Sequence, residues 1–175
     1  MEKIDSLESQ LNSSKSEDVL RVDLLNEAGY EYWIINPEKS VKYGEEALDL
    51  SEKLDYQNGY AKANRVIGVA YWAQGNQNRA LEYLITSQTA YEKIEDQEGI
   101  ANTMLNIGMV YADLEQYELA LKKYDQAIDR FTSLNLDNRI ATTFTKMATT
   151  FINQGQKSQA RKYLTNALKL HTKNN

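Results

Sequence analysis

Residues 59–98 read GYAKANRVIGVAYWAQGNQNRALEYLITSQTAYEKIEDQE, and residues 99–138 read GIANTMLNIGMVYADLEQYELALKKYDQAIDRFTSLNLDN. At an offset of forty residues the two agree in kind: Ala61 with Ala101, Ile67 with Ile107, Gly68 with Gly108, Tyr71 with Tyr111, Ala80 with Ala120 and Leu81 with Leu121. A fixed period in this range marks a chain built from stacked structural repeats. Within one period there are two apolar patterns with helical spacing. Ile67, Ala70 and Tyr71 form the first, with Gly68 beside them; Ala80, Leu81, Leu84, Ser87 and Tyr91 form the second. Spacings of three and four place such residues on one side of a helix. Gln74-Gly75-Asn76 separates the patterns. Glycine suits the left-handed residue that ends a helix, and asparagine caps the next one. Each period is therefore expected to be a helical hairpin. Gly68 and Ala80 are small because two backbones approach closely there. A lone hairpin cannot cover its own apolar faces, so neighbours must stack.

The pattern resembles the tetratricopeptide repeat. The small, aromatic and alanine slots of that family are held by Gly68, Tyr71 and Ala80, then Gly108, Tyr111 and Ala120, then Ala148, Phe151 and Ala160. The resemblance covers about residues 19–172. It implies an all-α, right-handed superhelical solenoid of antiparallel helix hairpins. The usual unit has about 34 residues, so the six extra are expected to lengthen the second helix and the joint to the next unit. Forty-residue variants of the family occur in scaffold proteins and in sensor segments of bacterial signalling proteins.

The reading divides the chain into 1–18, a cap helix and linker; 19–58, a divergent first repeat; 59–98 and 99–138, two regular repeats; and 139–175, a fourth repeat with the C-terminal cap. Ile4, Leu7 and Leu11 give the cap helix its stripe. In the first repeat Gly29 and Tyr32 fill the small and aromatic slots one residue late, and the turn is expected to be one residue shorter. Asn36-Pro37 then opens the second helix, where proline's missing N–H costs nothing. The turn at Glu115-Gln116 lacks glycine, which predicts a tighter or more strained turn. Arg161 replaces Val41, Leu81 and Leu121, and Asn174 replaces Leu54, Ile94 and Leu134. Both are expected to be exposed where their repeat-mates are buried, marking a terminal cap.

Charge is uneven. Residues 1–60 carry a net −8 and the remainder +3, while residues 139–175 hold seven Lys or Arg and no Asp or Glu. There is no cysteine, and no apolar run long enough to span a membrane. Starting at Met1, the chain would be cytoplasmic if that residue is the native start; an exported sensor segment is the alternative. No phosphate loop, nucleophile elbow or metal-ligand spacing occurs. The single histidine, His171, falls in the aromatic slot of Tyr91 and Phe131, which predicts packing. Neither a catalytic role, nor a metal, nor a cofactor is expected. A nucleic-acid partner is not expected either, because the chain is acidic overall and no aromatics interleave with the C-terminal lysines.

Binding is expected on the concave side that the first helices line in this family. Pointing away from the second helices are Asp23, Asn26, Tyr30 and Trp33; then Lys62, Arg65, Val69 and Trp72; then Asn102, Leu105, Asn106, Met109 and Asp113; then Thr142, Thr145, Lys146, Thr149 and Ile152. The candidate groove residues are Tyr30, Trp33, Lys62, Arg65, Trp72, Asn106, Met109 and Lys146. Trp, Tyr and Arg are the types that most often anchor interfaces. One subgroup of the family grips C-terminal carboxylates with five polar residues. The matching positions are Arg65, Val69, Asn106, Thr142 and Lys146, and Val69 and Thr142 cannot supply the groups required. The expected function is a noncatalytic module that binds a peptide or protein segment, in a regulatory or sensor role in a bacterial signalling protein. The alternative is an oligomerisation or scaffold element in which the acidic start and basic end self-associate.

Overall fold

The computed structural model describes residues 2–13 and 15–173. The described residues form nine α-helices and no strands. They are α1 (Glu2–Ser13), α2 (Val19–Tyr32), α3 (Pro37–Lys53), α4 (Gln57–Ala73), α5 (Gln77–Lys93), α6 (Gln97–Asp113), α7 (Tyr117–Ser133), α8 (Asp137–Asn153) and α9 (Lys157–Lys173). The chain divides into two compact units, Met1–Asp96 and Gln97–Asn175. The first holds α1 to α5 and the second α6 to α9. The boundary falls at the joint between the second and third repeats.

From α3 onward every helix has 17 residues. Three-residue turns separate them, so a helix starts every twenty residues. This corrects the expectation that the second helix of each hairpin carries the extra length: both helices carry it equally. The turns share one chemistry. Gly75 and Gly155 take positive φ, and so do the non-glycine residues Asp55, Glu95, Glu115 and Asn135. At Gly75 the next N–H, of Asn76, returns to the Tyr71 carbonyl at 2.9 Å while the Gly75 N–H reaches Trp72 O at 2.9 Å. This left-handed closure satisfies carbonyls that the helix end leaves open. Glu115 closes its turn in the same way, with the same length. The strain expected there is present in its φ of 58°; a tighter turn is not. Asparagine and aspartate start several helices: the Asp18, Asn36 and Asn76 side chains accept from the N–H groups of Arg21, Lys39 and Arg79.

The first hairpin differs. Helix α2 stops three residues after Gly29, whereas α4 runs five beyond Gly68. The missing residue is thus lost from the helix, and the turn at 33–36 is longer by one, not shorter. Ile34 and Ile35 stand exposed in it.

Small residues set the packing distance, as expected. A Cβ on Gly68 would lie 2.7 Å from Leu84 Cγ and 3.2 Å from the Ala80 carbonyl. On Gly108 it would lie 2.5 Å from the Tyr124 ring and 3.2 Å from the Ala120 carbonyl. Hydroxyls tie paired helices together: Ser40 Oγ donates to Gly29 O at 2.7 Å and Ser87 Oγ to Ala61 O at 2.8 Å, both buried. In the first unit α1 lays Leu7 and Leu11 on a core with Val22, Leu25 and Ala47. In the second, Tyr124, Phe131, Ile107 and Met147 are fully buried.

Three expectations need correction. His171 is exposed, although Tyr91 and Phe131 in the same slot are buried. The Leu54 and Leu134 slot is itself more than a third exposed, because it sits at helix C-caps, so a polar residue there marks no end. Its last member, Asn174, lies outside the described residues. Arg161 is exposed, but Val41, Leu81 and Leu121 are only half-buried.

Candidate functional site

Helices α2 and α4 are neighbours in the first unit. Their core sides carry Val22, Leu25 and Gly29, and Val66, Ile67 and Ala70. Helical spacing then leaves Asp23, Tyr30 and Trp33, and Lys62, Arg65 and Trp72, on a second side. The structure joins these residues as three successive pairs. Lys62 Nζ lies 3.2 Å from Asp23 Oδ1. The Arg65 guanidinium lies over the Tyr30 ring, 5.0 Å from its centroid. Trp33 and Trp72 stack at 5.5 Å with an interplanar angle of 24°. The ladder thus runs from a charged end through a cation–π contact to an indole pair. Tyr56 adds to the charged end by donating from its hydroxyl to Asp23 at 3.3 Å. Burial, then that carboxylate, pushes the Tyr56 phenol up.

Tyr30 is exposed and the other four candidate residues of this unit are half-buried. The ion pair is open to water on both sides, so it contributes only about 0.2–1 kcal/mol. The indole stack contributes about 0.5–1.5 kcal/mol beyond its burial. Such pairing holds the side chains in place before any ligand arrives, which lowers the ordering cost of binding. A ligand would meet the two indoles as one apolar surface, not as two separate anchors. Arg65 Nε is buried without a hydrogen-bond partner.

In the second unit Asn106 and Met109 lie on α6 and Lys146 on α8, each half-buried. Asn106 Nδ2 is buried without a partner. Beside Lys146, the exposed Thr142, Thr145 and Thr149 hydroxyls donate to the carbonyls four residues back. Three residues expected on the open side are instead buried: Asn26, Val69 and Leu105. Asn26 Nδ2 donates to the Gly59 carbonyl at 3.1 Å, so its role is to join α2 to α4. The sequence reading does not single out the exposed Ile34 and Ile35; paired isoleucines in front of Asn36-Pro37 were the available signal. Among the described residues no cluster of three metal-ligating side chains occurs, and no helix is long and apolar enough to cross a membrane.

Comparison with known proteins fits this geometry. The tetratricopeptide-repeat family matches residues 99–173. A curated relative, protein kinesin light chain-related 1 of Arabidopsis thaliana, is 24% identical over 115 residues, 65% of this chain and 19% of the relative. Among solved structures, a Rap protein complexed with competence and sporulation factor superposes with a TM-score of 0.87 at 18% identity, covering 97% of this chain and 48% of that one. A Rap conjugation gene regulator in complex with its Phr peptide gives 0.83 at 20% identity, with 97% and 47% covered. The chain therefore spans about a fifth of the curated relative and about half of the Rap proteins. Its all-α fold of stacked tetratricopeptide-like hairpins is theirs.

Proposed function

We propose that the chain is a noncatalytic module that binds a peptide or protein segment on the side formed by its first-position helices, in a regulatory or sensor role in a bacterial signalling protein. The Trp33–Trp72 stack carries the proposal: two large apolar rings are held half-open on adjacent helices, with the Tyr30–Arg65 pair next along the ladder. Trp, Tyr and Arg dominate the residues whose truncation costs most at interfaces. Support also comes from a regulator of the same fold whose structure holds a peptide, and from a repeat that generally serves binding instead of chemistry. Asn106, Met109 and Lys146 are proposed as the binding residues of the second unit, taken by itself.

A peptide selected by display against the chain provides the test. Trp72→Ala and Arg65→Ala should each weaken it by about thirtyfold, some 2 kcal/mol. Lys122→Ala, at an exposed position of α7, should bind as the parent does. Circular dichroism checks that the variants fold. If both groove variants fold and keep parental affinity, this side is not the site. Self-association of the acidic start with the basic end is the alternative reading, supported by the charge asymmetry alone.

A further inference from the structure

The outer face of α9 carries apolar side chains that no other described residue covers. Leu164 is 45% exposed and Leu168 63%, with Ile152 of α8 beside them. With Lys157 and Arg161 they line a groove of about 350 Å³. The repeat shows what this face is shaped to meet. One period earlier the Leu164 position is Tyr124, which is 1% exposed. Helix α8 packs on that helix, and Thr150 hydrogen-bonds the Tyr124 hydroxyl. In the first unit the equivalent positions are Leu84, fully buried against Gly68 of α4, and Gly44, where a Cβ would come within 2.6 Å of Ile67 on α4. In both units the cover is a helix. Fully burying one leucine contributes about 1.5–3 kcal/mol, so two open leucines in one groove leave a sizeable driving force unused.

Charge selects among helices. Lys157 and Arg161 edge the groove, and residues 139–175 hold seven bases and no acid. We infer that this face docks an acidic amphipathic α-helix of a partner polypeptide, with an apolar stripe seated on Leu164 and Leu168 and Asp or Glu beside it. Neither α9 nor α1 of a second copy supplies such a helix. Two α9 faces would set like charges against each other, which is costly. The acidic α1 has already buried Leu7 and Leu11 and exposes Glu2, Lys3, Asp5, Ser6, Ser9 and Gln10, all polar. The docking face uses α8 and α9 and no residue of the indole ladder, and stands without the function proposed above.

A labelled 17-residue peptide provides the probe. It keeps the residues that α8 buries and carries glutamate at the positions that α8 exposes; a control peptide carries lysine there. Fluorescence anisotropy should show saturable binding of the glutamate peptide, weaker at high salt, and a clear preference over the lysine peptide. Leu168→Glu, at an exposed position, should lose about tenfold or more in affinity, and Leu164→Ser should lose affinity as well. Trp72→Ala should leave this binding unchanged. The inference is overturned by equal binding of the two peptides, by no saturable binding up to about 1 mM, or by parental affinity in a folded Leu168→Glu variant. A concentration-dependent dimer abolished by Leu168→Glu would also overturn it and assign the face to a second copy.

Discussion

Glu115 closes its helix with φ at 58°, in the turn position that Gly75 and Gly155 fill one period away on either side. A left-handed backbone costs a residue with a Cβ about 1–2 kcal/mol, and glycine almost nothing. Part of that gain is lost because glycine is freer in the unfolded chain. Glu115→Gly should therefore raise stability by about 0.5–1 kcal/mol, and Gly75→Ala should lower it by about 1 kcal/mol. Denaturant melts measure both; a destabilised Glu115→Gly would mean that the glutamate side chain supplies something the backbone argument omits. The helix-interior glycines act by space, not by φ. Gly108 faces the Tyr124 ring and the Ala120 carbonyl with no room for a methyl group. Gly108→Leu should cost about 1–3 kcal/mol or more. A thermal melt with no loss would remove the α6–α7 packing from the account.

At the level of elements, α1 is the least embedded helix. Leu7 and Leu11 bury its stripe, and polar contacts fix its position. Glu8 receives an ion pair from Lys39 and hydroxyl hydrogen bonds from Tyr32 at 2.6 Å and Tyr43 at 3.3 Å. Lys3 reaches Glu31 at 2.6 Å, and the Arg21 guanidinium donates to the Leu11 carbonyl at 3.2 Å. The Lys39 bond first, then the Tyr32 bond, holds the Glu8 carboxyl below its ordinary value. A carboxylate whose folded pKa is depressed stabilises the fold above its unfolded pKa, and that contribution is lost as pH falls through the folded pKa. Attachment of α1 should thus be constant at neutral pH and weaken below about pH 4. Hydrogen exchange of the Leu7 and Leu11 amides should speed up there before that of Val22 and Leu25. Glu8→Gln should flatten this pH dependence while leaving α4 to α9 unchanged. If the α1 amides of the parent and of Glu8→Gln respond identically to acid, the Glu8 contacts do not hold the helix.

For the whole molecule, the competing readings make different demands on salt. Self-association of an acidic start with a basic end depends on screened charges and should weaken as the Debye length falls from about 30 Å at 0.01 M to about 8 Å at 0.15 M. A module that binds through apolar rings has no such requirement. Sedimentation velocity at these two ionic strengths should give one monomeric species at both. A larger species at low salt that disappears at high salt would favour the alternative.

The apolar period and the small residues at Gly68, Ala80, Gly108 and Ala120 specified the hairpins from sequence alone, because side-chain spacing and backbone approach are local constraints repeated along the chain. Capping glycines and asparagines likewise marked the turns at 33–36, 74–76 and 154–156. The equal length of the two helices was less legible, since Glu95 and Glu115 close their turns in a left-handed conformation that glutamate does not announce. Pairing was legible only in part: Trp33 and Trp72 fall in equivalent slots of neighbouring repeats, which places them side by side. The sequence places Trp33, Trp72, Tyr30 and Arg65 on outward-facing sides, but only the packing of α2 on α4 decides that the indoles stack and that the guanidinium covers the phenol. The same holds for Asn26, Val69 and Leu105, assigned outward by period yet buried, because a neighbouring helix, which no local pattern records, determines how much of each face stays open.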